Sequence, residues 1–537
     1  MQTINPSESC EVLKPEIDDG KKSSRGPSSS FRSILGSTPE PLECELNPPP
    51  FFHDLNLDQI VEAITHGREE YNLKPFFYTR LCRMDDILYR QDVMRELESN
   101  GLFQIIEKFS KHMQEMRLQL TAAQNWHYQY SQERWFLAAT ETYCDAVVEL
   151  QQNLEHHDLQ SQGLRQLRDY LSGYAGTSHF KAVRASAKEV QAALSAVRYS
   201  VLIKGNGVAV RHYDSEINYT EVVERTFAKF QQGAVKDYRV KSPIFSGMNH
   251  VEAGILDRVA KLYPEAFHAL DDFCARYSNY LDKVIADFDR EVQFYIAFLE
   301  HAEKFKSNGL KFCYPDILER GKDVSNKDGF DLALAGKLLG QNSPVICNDF
   351  FLKGNERIFV VTGPNQGGKT TFARTFGQIH YLACLGCPVP GSEAQLFLFD
   401  KLFTHFEREE DISTLRGKMQ DDLVRMHSIL EQVTPKSIVI INEIFSSTSV
   451  KDGIELGRKI MDYLSRLDAL CVCVTFLDEL AAFNEKTVSM VAEVVPANPS
   501  QRTFKVERKA ADGLAHALAI ANKYRLTYAQ LKERLKK

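Results

Sequence analysis

The chain has 537 residues, of which 43% are hydrophobic and 26% charged, with a formal net charge of −7. At about 100–200 residues per domain, this length points to three or four units. The acidic balance excludes a chain that holds nucleic acid by bulk charge and leaves that role to local basic clusters. Eleven cysteines lie without framework spacing, and MQTINPSESC carries no apolar leader. A reducing, cytoplasmic setting is expected, and no run approaches the ~18 apolar residues of a membrane span. Cys384 and Cys387 form a CxxC without a second pair at zinc spacing, and Cys471 and Cys473 read as buried core thiols.

In chain order, residues 1–50 are rich in Ser, Pro, Gly and charge and are expected to form a disordered tail. Residues 51–310 read as a mostly helical domain. Apolar residues recur at three- and four-residue spacing in LNLDQIVEAI, LYRQDVMREL and FLAATETYCDAVVELQQNL. YSVLIKGNGVAVRHY interrupts them with two β-prone runs around Gly205-Asn206-Gly207, the composition of a tight hairpin. Helical periodicity returns after Tyr219 and dominates from His250 to Lys306, with a long lever-like helix expected from Pro264. Residues 311–537 alternate strand-like runs (RIFVVTG, KSIVIIN, ALCVCVTF) with helical segments, which implies an α/β domain on a mainly parallel sheet.

Gly363-Pro364-Asn365-Gln366-Gly367-Gly368-Lys369-Thr370 fits GxxxxGK[ST] between a strand and a helix, the context a P-loop requires. Its glycines let backbone N–H groups turn toward phosphates, and the following helix, which continues with Thr371, adds the positive end of its dipole. Lys369 is expected to meet the β- and γ-phosphates of ATP and Thr370 to ligate Mg²⁺. The strand SIVIIN ends in Asn442 and Glu443. Glu443 suits the residue that polarises the attacking water, while Asn442 stands where P-loop ATPases usually carry a metal-supporting Asp.

Residues 358–480 resemble the ATPase domain of the MutS family of DNA mismatch-repair proteins. TGPNQGGKTT is similar to that family's TGPNMGGKST, VPGSEAQL to its VPAxxA segment, and NEIFSSTSVKDG to DEIGRGTSTYDG. The resemblance implies a P-loop domain of ABC type behind core and lever helices. It makes EEDISTLRGKMQDDL, with Ser413, Thr414 and Met419, the loop that reaches a partner subunit's nucleotide. It sets the segment around Asn348 and Asp349 near the nucleotide and likens GLAHALAIANKY to the helix that closes the domain. The chain begins near the family's core domain, so no mismatch-reading domain is expected. Phe476 stands where the family usually carries a His near the γ-phosphate.

The function that the resemblance implies is an ATP-dependent DNA-binding protein that works as a homodimer and closes as a clamp on double-stranded or branched DNA in repair or recombination. Lys204, Arg211, Lys229, Lys236, Arg239 and Lys241, around the hairpin, are the candidate phosphate contacts. The alternative is a nucleotide-gated protein-interaction switch on the same scaffold. A metabolic kinase does not fit, because the long helical part precedes the P-loop and no arginine-rich lid follows it.

Overall fold

The computed structural model describes residues 31–38, 43–205, 207–215, 217, 219–228, 248–407, 417–445, 448–495, 498–511, 527–528 and 531–532. The first part is helical: α1 (Leu57–Thr65), α2 (Lys74–Tyr78), α3 (Met84–Leu97), α4 (Asn100–Asn125), α5 (Gln129–Glu155), α6 (Gln162–Gly176) and α7 (Ser178–Ser195). Strands β1 (Tyr199–Lys204) and β2 (Gly207–His212) follow, then α8 (Tyr219–Ala228), α9 (His250–Leu262), α10 (Pro264–Arg276) and α11 (Lys283–Lys306). The pairing Lys204↔Gly207 closes the hairpin, as the sequence anticipated. Helices α4 and α5 form a long antiparallel pair, tied by Thr142 Oγ1 donating to Gln119 Oε1 at 2.9 Å and by the Lys108–Glu149 ion pair.

Helix α11 is the central post. Every residue from Val292 to Leu299 is buried, so this helix presents no solvent face there and packs against α1, α3 and α4. Its Asp289 pairs with Arg117, which also bonds the Tyr71 hydroxyl. Burial pushes the Asp289 carboxyl up to about 7 against the pull of Arg117.

Two expectations change. The long helix from Pro264 is two helices, broken between Arg276 and Lys283. Asp282 restarts the second by accepting the Ile285 N–H at 3.0 Å. The break is held from outside, by Tyr170 donating to Asp282 at 2.8 Å and by the Asp282 N–H on the Tyr143 hydroxyl, contacts that periodicity cannot register. The tail reading of residues 1–50 also fails at residues 31–38. Phe31, Ile34 and Leu35 are buried, each worth about 1.5–3 kcal/mol. Glu291 accepts from Ser33 Oγ and the Ile34 N–H at 2.9 Å, and Tyr295 donates to the Ile34 carbonyl at 2.6 Å. This segment therefore satisfies polar groups that the core would otherwise bury alone.

The second part runs β3 (Phe312–Cys313), β4 (Asp316–Leu318), β5 (Val324–Gly329), α12 (Leu332–Leu339), β6 (Asn348–Leu352), β7 (Ile358–Thr362) and α13 (Lys369–Cys384). It continues with β8 (Val389–Pro390), β9 (Glu393–Phe397), β10 (Leu402–His405), α14 (Lys418–Gln432), β11 (Ile438–Asn442), α15 (Val450–Leu467), β12 (Leu470–Val474), β13 (Thr487–Val495) and β14 (Asn498–Arg508). Six strands form one sheet in the order β10-β11-β12-β7-β13-β14, parallel except for the last pair. The three anticipated strands, β7, β11 and β12, are adjacent and fully buried, and Cys471 and Cys473 sit in that core. A second sheet, β4-β9-β5-β6, contains antiparallel pairs and was not anticipated. Among the described residues no helix is long and apolar enough to cross a membrane.

Because β7, β11 and β12 run parallel, the segments that follow them emerge at the same sheet edge. Crevices at such carboxyl ends are where open α/β sheets hold ligands. The edge is anchored to the helical part by α13. Tyr381 donates to the Phe77 and Tyr78 carbonyls at 2.9 Å, Gln378 to the Leu55 carbonyl at 2.8 Å and Arg374 to the Asp54 carbonyl at 2.9 Å.

Candidate functional site

The loop from Gly363 to Gly368 joins β7 to α13. Gly363 (φ 111°) and Gly368 (φ 99°) take left-handed backbone, and a Cβ on Gly363 would stand 2.9 Å from the Ala492 carbonyl oxygen. Pro364 and Gly367 are buried, whereas Asn365 and Gln366 face solvent. Lys369 opens α13 with its side chain turned back into the loop. Its Nζ donates to the Gly363 carbonyl at 2.9 Å and the Pro364 carbonyl at 3.3 Å, with Asn365 Oδ1 at 3.5 Å. Burial lowers its pKa, while nearby Glu443 opposes that shift.

The next residue reaches across to β11. Thr370 Oγ1 donates to Asn442 Oδ1 at 2.9 Å, so the start of the helix and the end of the second strand meet at one hydrogen bond. Thr371 is half-buried and gives its carbonyl to Thr375. Glu443 follows with φ 55°, its N–H on the Val474 carbonyl at 2.9 Å. A non-glycine residue in that region costs on the order of 1–3 kcal/mol, and such strain gathers at functional sites. Burial raises the Glu443 carboxyl above its ordinary value, and Lys369 partly offsets this. Phe476, just beyond β12, lies with its ring centroid 4.3 Å from Lys369 Nζ.

These residues fit a phosphate chain with a divalent cation. A buried ammonium is held near loop oxygens, glycines leave a cradle that a Cβ would fill, and a hydroxyl and an amide oxygen converge beside it. Mg²⁺ takes few protein ligands and retains waters, so one hydroxyl plus a neighbouring oxygen is an adequate donor set.

Residues 359–530 match MutS domain V. Among curated relatives, DNA mismatch repair protein MutS of Orientia tsutsugamushi (strain Boryong) is 30% identical over 213 residues, covering 39% of this chain and 24% of that protein. MutS of Chloroflexus aurantiacus (strain ATCC 29366 / DSM 635 / J-10-fl) is 33% identical over 149 residues, or 27% of this chain and 15% of its own length. MutS of Thermosipho melanesiensis is 34% identical over 122 residues, 23% of this chain and 15% of the relative. The chain thus spans about a quarter or less of these relatives, and the match to MutS domain V lies in the α/β part. It agrees with the resemblance that the motifs carried.

Within the stretch that matches MutS domain V, the structure brings Lys369, Thr370, Asn442 and Glu443 together. Ser413 and Thr414 lie outside the described residues, as does the GLAHALAIANKY segment; Met419 is half-buried in the first turn of α14. Ser449 caps α15, accepting the Asp452 N–H at 3.2 Å. Of the hairpin cations, Lys204 and Arg211 are exposed on β1 and β2, while Lys229, Lys236, Arg239 and Lys241 lie outside the described residues. Cys384 and Cys387 are buried, and their thiols are pushed up by burial.

The motifs did not reveal one wall of the site. Strand β14 passes beside the loop: Arg502 Nε donates to the Asn365 carbonyl at 3.1 Å, and a Cβ on Gly368 would stand 3.4 Å from the Phe504 carbonyl oxygen. Asn348, expected near the nucleotide, holds this strand beside the loop. Its amide donates to the Phe504 carbonyl at 3.2 Å and accepts the Val506 N–H at 2.8 Å. His405, at the end of β10, is buried 3.4 Å from Asp422, and burial lowers its pKa to about 4. No local pattern marks Arg502 or His405, since each acts through partners distant in sequence or on another element.

Proposed function

We propose that residues 311–537 form a Mg²⁺-dependent P-loop ATPase domain of ABC type and that residues 51–310 are the core and lever domain of a MutS-type, ATP-dependent DNA-binding protein. The observation that carries this reading is the buried ammonium of Lys369, turned into a glycine loop beside the Thr370–Asn442 hydrogen bond. The similarity of residues 359–530 to MutS domain V supports it. In this reading the N–H groups of Gly363, Pro364's neighbours Asn365 and Gln366, Gly367 and Gly368 cradle phosphates, with Thr371 in the first turn behind them. Lys369 meets the β- and γ-phosphates. Thr370, backed by Asn442, holds Mg²⁺, which would offset phosphate charge. Glu443, kept partly unsolvated, takes a proton from the attacking water.

ATP then favours a dimer closed on double-stranded or branched DNA, with the loop of Ser413 and Thr414 reaching the other subunit's site. Lys204 and Arg211, with Lys229, Lys236, Arg239 and Lys241, contact phosphates rather than bases. The test is a nucleotide titration of Lys369→Ala. Affinity should fall about 100-fold, because charge-assisted bonds to phosphate are lost; unchanged affinity would reject the P-loop assignment.

A second reading, a nucleotide-gated protein-interaction switch, is favoured by the apolar side chains exposed on the hairpin. Val201, Leu202, Ile203 and Val208 are all exposed, Ile203 by 78%. Such a cluster suits a protein partner better than a phosphate backbone. Titration with duplex, branched and single-stranded DNA, with and without ATP, separates the two: salt-dependent binding supports the first, and none at low salt supports the second.

A further inference from the structure

The side chain that touches Lys369 on its open side is an aromatic ring. Phe476 leaves β12, which lies between β7 and β11, and so emerges between the glycine loop and Glu443. Its turn is held on both sides: the Thr475 N–H bonds the Val361 carbonyl at 3.1 Å, and Thr475 Oγ1 accepts the Leu477 N–H at 3.1 Å. Phe476 is 47% exposed, and its ring faces a cationic partner. That partner is the Lys369 ammonium, 4.3 Å from the ring centroid. The quadrupole of the ring face attracts a cation, most strongly where water is excluded, and Lys369 is only 4% exposed.

An ammonium has three hydrogens. Here loop carbonyls of Gly363 and Pro364 take one side of Lys369 and the Phe476 ring covers another. A phosphate chain that approaches must replace one of these. A diphosphate can be held by the loop amides with a single contact to Nζ. A third phosphate would add a second contact, and the ring covers one of the sides left for it.

We propose that Phe476 is a specificity-determining residue that makes this site favour nucleoside diphosphates, admitting the terminal phosphate of a triphosphate only when the ring swings away from Lys369. This rests on the nucleotide reading above. The displacement has a mechanical outlet. Leu477 and Leu480, in the same turn, pack over Gly453 and Gly457 of α15, where added Cβ atoms would meet them at 3.5 Å and 2.9 Å. A triphosphate therefore carries a signal into α15 that a diphosphate does not.

The experiment is calorimetric titration of the full chain with Mg-ADP and with a non-hydrolysable Mg-ATP analogue, for the wild type, Phe476→Ala and Phe476→His. The wild type should bind the diphosphate more tightly. Both variants should bind the triphosphate analogue about fivefold to tenfold more tightly than the wild type does, with diphosphate affinity unchanged within about twofold. An equal preference ratio in wild type and Phe476→Ala, or a wild type that prefers the triphosphate, would overturn the proposal. A wild type that binds neither nucleotide would overturn the underlying nucleotide reading, a result distinguishable because it removes both affinities rather than their ratio.

Discussion

The glycine-containing turns GPNQGGK after β7 and GNG after β1 have opposite surroundings. At the first, a Cβ on Gly363 would meet the backbone of Ala492, and Lys369 is buried among loop oxygens. At the second, among the described residues and apart from its chain neighbours, no atom lies within 4 Å of a Cβ on Gly205, and Lys204 is exposed beside apolar neighbours. A glycine turn becomes a chemical site when the ends of other strands enclose it. Desolvation there strengthens each charge contact and shifts the groups that carry them. Among the described residues the hairpin turn has no such enclosure, and Leu202 and Ile203 beside it stand exposed.

The largest expected effect lies on the enclosed side. Glu443→Gln should slow ATP hydrolysis by about 10²–10⁴-fold while nucleotide affinity is kept, because an amide cannot accept the proton of water. In the wild type the rate should fall as pH drops through the Glu443 carboxyl, since only the carboxylate acts as base. That fall should come above the ordinary carboxylate value of about 4.3, because burial raises the group. Turnover of the Gln variant at the wild-type level would remove Glu443 from the chemistry.

The comparison itself can be broken by a matched pair of alanines. Gly363→Ala combines a φ of 111° with a contact of 2.9 Å to backbone and should destabilise the chain by about 2–4 kcal/mol. Gly205→Ala meets open space at φ 58° and should cost only about 1 kcal/mol. Urea unfolding of both variants reads the difference. Equal costs would mean that the hairpin turn is as tightly enclosed as the loop.

The smallest effect is expected at the hairpin. Lys204→Ala and Arg211→Ala should each weaken duplex binding severalfold and reduce the slope of log affinity against log salt by about one. A slope unchanged in both variants would take the hairpin off the DNA and strengthen the protein-interaction reading, for which Ile203 is the exposed anchor.

Much of the candidate site was legible because its requirements are local. A phosphate loop needs glycines at fixed offsets between a strand and a helix, and the acidic residue needs the end of a buried strand. Both conditions are written within a dozen residues, as are the helical periodicity before them and the Gly-Asn-Gly hairpin. Family resemblance added the loop at Ser413 and Thr414, which lies outside the described residues. Only the tertiary structure decided the rest. Phe31, Ile34 and Leu35 belong to the core because Glu291 and Tyr295, more than 250 positions away, bond the intervening backbone. The helix break before Lys283 depends on Tyr143 and Tyr170. Phe476 acquires its place over Lys369 because β12 pairs beside β7, and Arg502 reaches Asn365 because β14 turns back along β13. Such contacts are made by chain segments far apart in sequence, whose encounter is set by the packing of the whole sheet rather than by any spacing along it.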